Sequence, residues 1–148
     1  MDDLVVAITG TDPDTCCLLF DVLKRGMQHQ PWIVWDATVE PAPPSIGARA
    51  TVTYRAHAYA AECQILSTLR IMDNANVDRV WIVDADVVTA ATLLGGLPAC
   101  DPEADVVLGG AGGVSRFSRK AVQRIARDFG TGVDYTGLGV QVLDGGCK

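Results

Sequence analysis

From Leu4 onward, short unbroken apolar runs alternate with stretches of helical period. This alternation limits the fold more than any other feature of the chain. "LVVAITG" (4–10), "WIVW" (32–35), "RVWIV" (79–83), "ADVVLGG" (104–110) and a run near 138–143 read as strands. Between the first two, "TCCLLFDVLKR" places Leu18, Leu19, Val22 and Leu23 on one helical face, with Asp14 as the expected cap and Gly26 as the expected left-handed stop. From about Arg55 to Asn74, Ala58, Ala61, Ile65, Leu69 and Met72 form a second stripe. A short helix is expected at 89–95. Ser118 is placed to cap another through "RKAVQRIARDF", stopped by Gly130. "PAPPSIGAR" (41–49) reads as an irregular surface loop, because its clustered prolines remove donors and fix φ. The order predicts an α/β fold: a three-layer sandwich with a mainly parallel central sheet. At 148 residues, 1–148 is expected to be a single domain with one core.

The formal net charge is −6. Extended nucleic-acid binding usually needs a basic face, so nucleic acid enters only as an acceptor of chemistry. A local basic patch is expected from Arg116, Arg119, Lys120, Arg124 and Arg127. No apolar run is long enough to span a bilayer, and no membrane partner is expected. The Met-Asp-Asp start lacks the basic residues and cleavage pattern of a signal peptide, which makes the cytoplasm the default compartment. Cysteines stand at 16, 17, 63, 100 and 147 with no CxxC among them. Buried thiols are expected rather than a zinc site or a disulfide framework.

Ligands of parallel α/β sheets bind at the carboxyl ends of the strands. Thr9, Asp36, Asp84, Asp86 and Gly109 all fall at such ends. "RVWIVDADVV" (79–88) is the most pointed case, an apolar strand that finishes in two acids. Residues two apart share a strand face, so Asp84 and Asp86 are expected to point together with Cα atoms ~7 Å apart. Two unit charges ~4 Å apart interact by about 4 kcal/mol at an effective dielectric near 20. A divalent cation would offset that repulsion and recruit a diphosphate. The plainer reading is that Asp86 caps the next helix and Asp84 is solvated. "GGAGG" lacks GxGxxG spacing and no GxxxxGK[ST] occurs, so neither dinucleotide nor P-loop chemistry is indicated.

"WIVDADVV" resembles the Asp-x-Asp strand of GT-A fold glycosyltransferases, which use nucleotide-diphosphate sugars. "ADVVLGGAGGVSRFSRKAVQRI" and "VDYTGLGVQV" resemble later segments of the fringe-like and β-1,3-galactosyltransferase group, in a minimal form. The resemblance implies a metal-dependent glycosyltransferase with a UDP-sugar donor, Mn2+ or Mg2+ as the cation, and an acceptor hydroxyl. It implies Asp86 as direct metal ligand, and Asp84 on the metal-bound water or the donor ribose. Thr9, Thr11, Asp36 and Arg55 would lie on the donor nucleotide. Gly110, Ala111, Gly112 and Gly113 would wall the sugar. Asp134 would be the catalytic base, giving an inverting outcome. The family's metal-binding His has no counterpart, since no histidine follows His57. Protein, glycan, lipid head group and hydroxylated DNA base all stand open as acceptors, and so does a homo-oligomer.

Other residues carry two readings each. Arg55 and His57 face a diphosphate or form a solvated first turn. Arg116 and Arg119 clamp an acceptor phosphate or line a solvated helix face. Trp32, Trp35 and Trp81 are expected in the core, and His29 on the surface. Two other functions compete. One is a haloacid-dehalogenase-like phosphohydrolase with Asp84 as nucleophile and Asp86 as acid/base. The other is a non-catalytic nucleotide-sugar-binding module.

Overall fold

The computed structural model describes residues 4–56, 58–89, 93, 96–109 and 112–143. The strands of these residues form one sheet in the order β3-β2-β1-β4-β6-β5-β7. They are β1 (Leu4–Thr9), β2 (Trp32–Asp36), β3 (Thr51–Tyr54), β4 (Arg79–Asp84), β5 (Val106–Leu108), β6 (Val114–Ser118) and β7 (Val140–Val142). The helices are α1 (Pro13–Lys24), α2 (Pro44–Gly47), α3 (Ala60–Ala75) and α4 (Arg119–Arg127). All pairings are parallel except those of β6, which runs antiparallel to both β4 and β5. The three-layer sandwich with a mainly parallel sheet is therefore as expected.

Alternation along the strands divides the core into two faces. Val6, Ile8, Ile33, Trp35, Trp81 and Val83 pack under α1 and α2. Val5, Ala7, Val34, Val52, Val80 and Ile82 pack under α3 and α4. Burying each such side chain contributes about 1.5–3 kcal/mol. Trp35 and Trp81 are core residues as expected.

Several local expectations need correction. α1 is capped by Asp12, not Asp14: its carboxylate accepts from the Asp14 N–H and the Thr15 hydroxyl. Pro13 explains the shift, since its fixed φ and missing N–H suit the first helical position. The helix buries Cys16, Leu19, Phe20 and Leu23, and leaves Leu18 exposed. Gly26 is not among the positive-φ glycines, so it is no left-handed stop. The proline segment is not wholly irregular. Pro43 is extended, Pro44 opens α2, and Ile46 is fully buried. β3 follows, pairing in register from Ile33↔Thr51 to Asp36↔Tyr54. α3 starts at Ala60 rather than near Arg55. β6 is a strand that the apolar runs did not indicate, because its polar Ser115 and Arg116 hide it from an apolar pattern. The cap by Ser118 is as expected, with its hydroxyl accepting from the Ala121 N–H. The helix expected at 89–95 falls largely outside the described residues, as do His57 and Cys147.

Candidate functional site

The strand order places a crevice between β1 and β4. The chain leaves β1 for α1 on one face of the sheet, whereas it reaches β4 from α3 on the other. Such a reversal is where open α/β sheets take ligands. Register then aligns the site residues. Thr9 is level with Asp84 on the neighbouring strand. Asp36 ends β2 opposite Tyr54 on β3. Ile82 and Val34 belong to the α3 face, and Asp84 and Asp36, two residues on, share it. A cavity of about 670 Å³ opens there, lined by buried Val34, Ile82 and Thr9 and by Asp36, Asp84 and Asp86.

The two acids do not hold their positions as a strand pair. β4 ends at Asp84 and residues 85–87 form a turn, with the Asp84 carbonyl accepting from the N–H groups of Val87 and Val88. Strand alternation therefore does not set the direction of Asp86. Asp84 Oδ1 accepts from the Asp86 N–H at 2.9 Å. The Asp86 carboxylate reaches across the crevice and accepts from the Thr11 N–H at 3.1 Å and the Thr11 hydroxyl at 3.0 Å. Each acid is thus compensated by protein donors. Asp84 Oδ2 has no hydrogen bond to the described residues, and Asp84 lines the cavity.

Close backbone approach makes this geometry possible. A Cβ on Gly10 would lie 3.0 Å from both the Ala85 Cβ and the Cys16 Sγ, and 3.3 Å from Asp86 Oδ1. Gly113, at φ +71°, passes Val87 so closely that an added Cβ would sit 2.8 Å from the Val87 Cβ. The Gly113 carbonyl accepts from the Asp84 N–H, and the Thr9 carbonyl from the Ala85 N–H, so both flanking strands hold the acidic turn. Burial, aided by Asp86, Cys17, Asp12 and Asp84, pushes the Cys16 thiol up to about 12. That thiol is an inert packing group. At the other rim, burial and then Asp36 push the Tyr54 phenol up to about 12, partly offset by Gln64. Tyr54 and Ser115 line the cavity without having been foreseen, because β3 and β6 are short strands with little apolar alternation, and Gln64 of α3 joins them.

The expected residues are only partly brought together. Thr9, Thr11, Asp36, Asp84, Asp86 and Gly113 line the cavity. Gly112 is exposed and outside its lining, while Gly110 and Ala111 lie outside the described residues. Arg55 lines a separate depression with Cys63, Leu66 and Phe129. Asp134 also stands apart from the cavity. The Thr136 side chain and then the Thr136 N–H, both donating to its carboxylate, hold it below the usual carboxylate range. The basic patch is largely engaged within the protein. Arg119 pairs with Asp73 and Asp78, Arg127 with Asp128, and Arg124 donates to the carbonyls of Asp134 and Thr136. Arg116 is in β6 and buried, not on a helix face.

No Lys, Arg or His lines the cavity among the described residues. Nor do three or more His, Cys, Asp or Glu side chains among them gather to hold a metal ion. The donor set is two carboxylates, one with a free oxygen. That fits a hard ion such as Mg2+, which is commonly held by one or two carboxylates together with substrate phosphates.

No protein-family model matches the chain, and no curated protein does. Solved structures do match. One is a CMP:2-keto-3-deoxy-manno-octonic acid synthetase complexed with CTP, with TM-score 0.59 and 10% identity over 96% of this chain and 89% of that one. The chain shares the fold of that synthetase. A cytidylyltransferase from Leptospira borgpetersenii serovar Hardjo-bovis (strain JB197) matches with TM-score 0.56 and 9% identity over 86% of this chain. The present chain spans 65% of that protein. A putative nucleotide-diphospho-sugar transferase from Desulfovibrio desulfuricans G20 matches with TM-score 0.53 and 10% identity, covering 97% and 80% of the two chains. At these identities the likeness is one of fold. No helix among the described residues is long and apolar enough to cross a membrane.

Proposed function

We propose that the chain is a transferase that takes a nucleotide-diphosphate sugar in the cavity over β1, β2 and β4 and passes the sugar to an acceptor hydroxyl. The observation that carries this reading is the free Asp84 oxygen on the rim of a cavity at the switch point of a fold shared with nucleotide-handling transferases. A divalent cation held by Asp84, with Asp86 beside it, would supply the positive charge that the described lining lacks. Thr9 and Thr11 offer hydroxyls at the crevice. Asp36, Tyr54 and Gln64 form the wall for the nucleoside, where the neutral Tyr54 phenol presents a flat apolar face with a polar tip.

Nucleotidyl transfer from a triphosphate is the second reading, favoured by the cytidylyltransferase neighbours. Charge weighs against it. A triphosphate brings more negative charge than a diphosphate sugar to a rim that already carries Asp36, Asp84 and Asp86. The finer likeness to the fringe-like group rests on sequence motifs alone. In the proposed reading Asp134 does not touch the donor. An inverting reaction requires its segment to meet the acceptor.

The test is a thermal-shift series with UDP, UDP-glucose and CTP, each with and without Mn2+. Stabilisation by UDP or the UDP-sugar only with the metal, exceeding that by CTP, supports sugar transfer. A larger shift with CTP, together with pyrophosphate release on adding sugar acids, supports nucleotidyl transfer. No metal-linked shift with any of them overturns both. Asp134→Asn separates the steps: donor binding is expected to persist, and loss of transfer alone would assign Asp134 to the acceptor.

A further inference from the structure

A second cavity lies on the opposite face of the sheet. Its volume is about 550 Å³, within the range of small-ligand sites. Leu4, Leu23, Met27, Leu93 and Leu97 give it an apolar wall, and it shares no lining residue with the first cavity. Adjacent residues of β4 separate the two: Ile82 lines the first, Trp81 the second.

One charged group stands in this wall. Arg116 is only 5% exposed. Antiparallel register sets it opposite Trp81, and its guanidinium lies 6.0 Å from the Trp81 ring centroid. Its Nη2 donates to the carbonyls of Asp101 at 2.6 Å and Ala104 at 3.0 Å. Its buried Nε has no hydrogen-bond partner among the described residues. Arg116 forms no ion pair among the described residues, although the other arginines of its region do so or cap carbonyls. A cation withdrawn from water, lining an apolar cavity and paired with no carboxylate among the described residues, is half of a recognition site.

We infer that this cavity binds a small amphipathic carboxylate, its head on the Arg116 guanidinium and its apolar body along Leu4, Leu23, Met27 and Leu97. Arginine matches a planar carboxylate through charge-assisted hydrogen bonds. A phosphate dianion fits less well, since Nη2 is already engaged and one guanidinium would leave part of its charge unpaired. The inference is independent of the proposed transferase reaction, because it uses the other face of the sheet.

The probe is sodium octanoate below its micellar range, with 1-octanol as the uncharged counterpart, titrated into the full chain by calorimetry. Octanoate is expected to bind about tenfold more tightly than 1-octanol, the discrimination that one charge-assisted contact supplies. Arg116→Met is expected to abolish that preference and leave 1-octanol binding unchanged. Gly26→Leu supplies a test that does not touch the cation. Gly26 lines the cavity and a Cβ there meets nothing within 4 Å, so the larger side chain is expected to fold and to block octanoate. Equal affinity for octanoate and 1-octanol overturns the inference, as does a tenfold preference that survives Arg116→Met or octanoate binding that survives Gly26→Leu. If Arg116→Met does not fold, the Gly26→Leu result decides. Metal-linked UDP binding in Gly26→Leu is expected to match that of the unaltered protein.

Discussion

The Asp86 carboxylate accepts from both the backbone N–H and the hydroxyl of Thr11, across the crevice between β4 and β1. This tie joins the acidic turn to the β1–α1 loop and sets the width of the candidate site. Thr11→Ala removes the hydroxyl contact alone. It is expected to cost about 1 kcal/mol in urea unfolding, with the m-value unchanged. It should also weaken nucleotide binding. A folded, fully stable Thr11→Ala protein would show that the tie contributes nothing.

Asp84 is expected to divide binding from folding. Asn at this position keeps an oxygen for the Asp86 N–H but removes the charge facing the cavity. Asp84→Asn should therefore melt close to wild type without ligand and lose the Mn2+-dependent shift with UDP. Retention of that shift would remove Asp84 from the metal site.

Backbone approach at the rim gives two graded substitutions. Gly10→Ala forces a methyl against Cys16 and Ala85 and is expected to cost about 1–3 kcal/mol. Adding Cys16→Ala should recover part of that loss, because Sγ is one of the two nearest contacts, and a double-mutant cycle measures it. Gly113→Ala adds a left-handed backbone penalty of about 1–2 kcal/mol to its clash with Val87.

Acid stability should report Asp105, which accepts from the Ser118 hydroxyl and the Gly139 N–H and so joins the α4 cap to the entry of β7. Burial pushes its carboxyl up, but those donors outweigh it and the net shift is downward. A carboxyl lowered by folding stabilises the protein above its unfolded value, near ~3.9, and that contribution is lost as pH falls through the folded value. Asp105→Asn should flatten the acid limb of a circular-dichroism stability curve and leave its alkaline limb unchanged. An unaltered acid limb would count against the role.

Thiol labelling at pH 8 should follow burial and ionisation together. The Cys16 thiol, pushed up to about 12, is expected to stay unmodified in the folded protein, whereas half-buried Cys63 and Cys100 react first. Peptide mass spectrometry after brief iodoacetamide treatment reads the order directly.

The layer arrangement was legible in the chain because it depends on period alone. Continuous apolar runs at 4–9, 32–35 and 79–83 require strands buried on both faces, and the stripes of α1 and α3 require helices to cover them. The position of Asp36, Asp84 and Asp86 at strand ends followed from the same period. Strands held by neighbours rather than by their own pattern were not legible, as with β3 after the prolines and β6 with its Ser-Arg centre. Tertiary structure alone decided which donors satisfy Asp86, since the Thr11–Asp86 bond spans 75 residues of sequence. It also decided that Arg116, one of a run of basic residues, is drawn inside beside Trp81 while its neighbours pair at the surface. Local sequence sets the direction of a side chain along its own strand. Only the register of strands brought from elsewhere sets what that side chain meets.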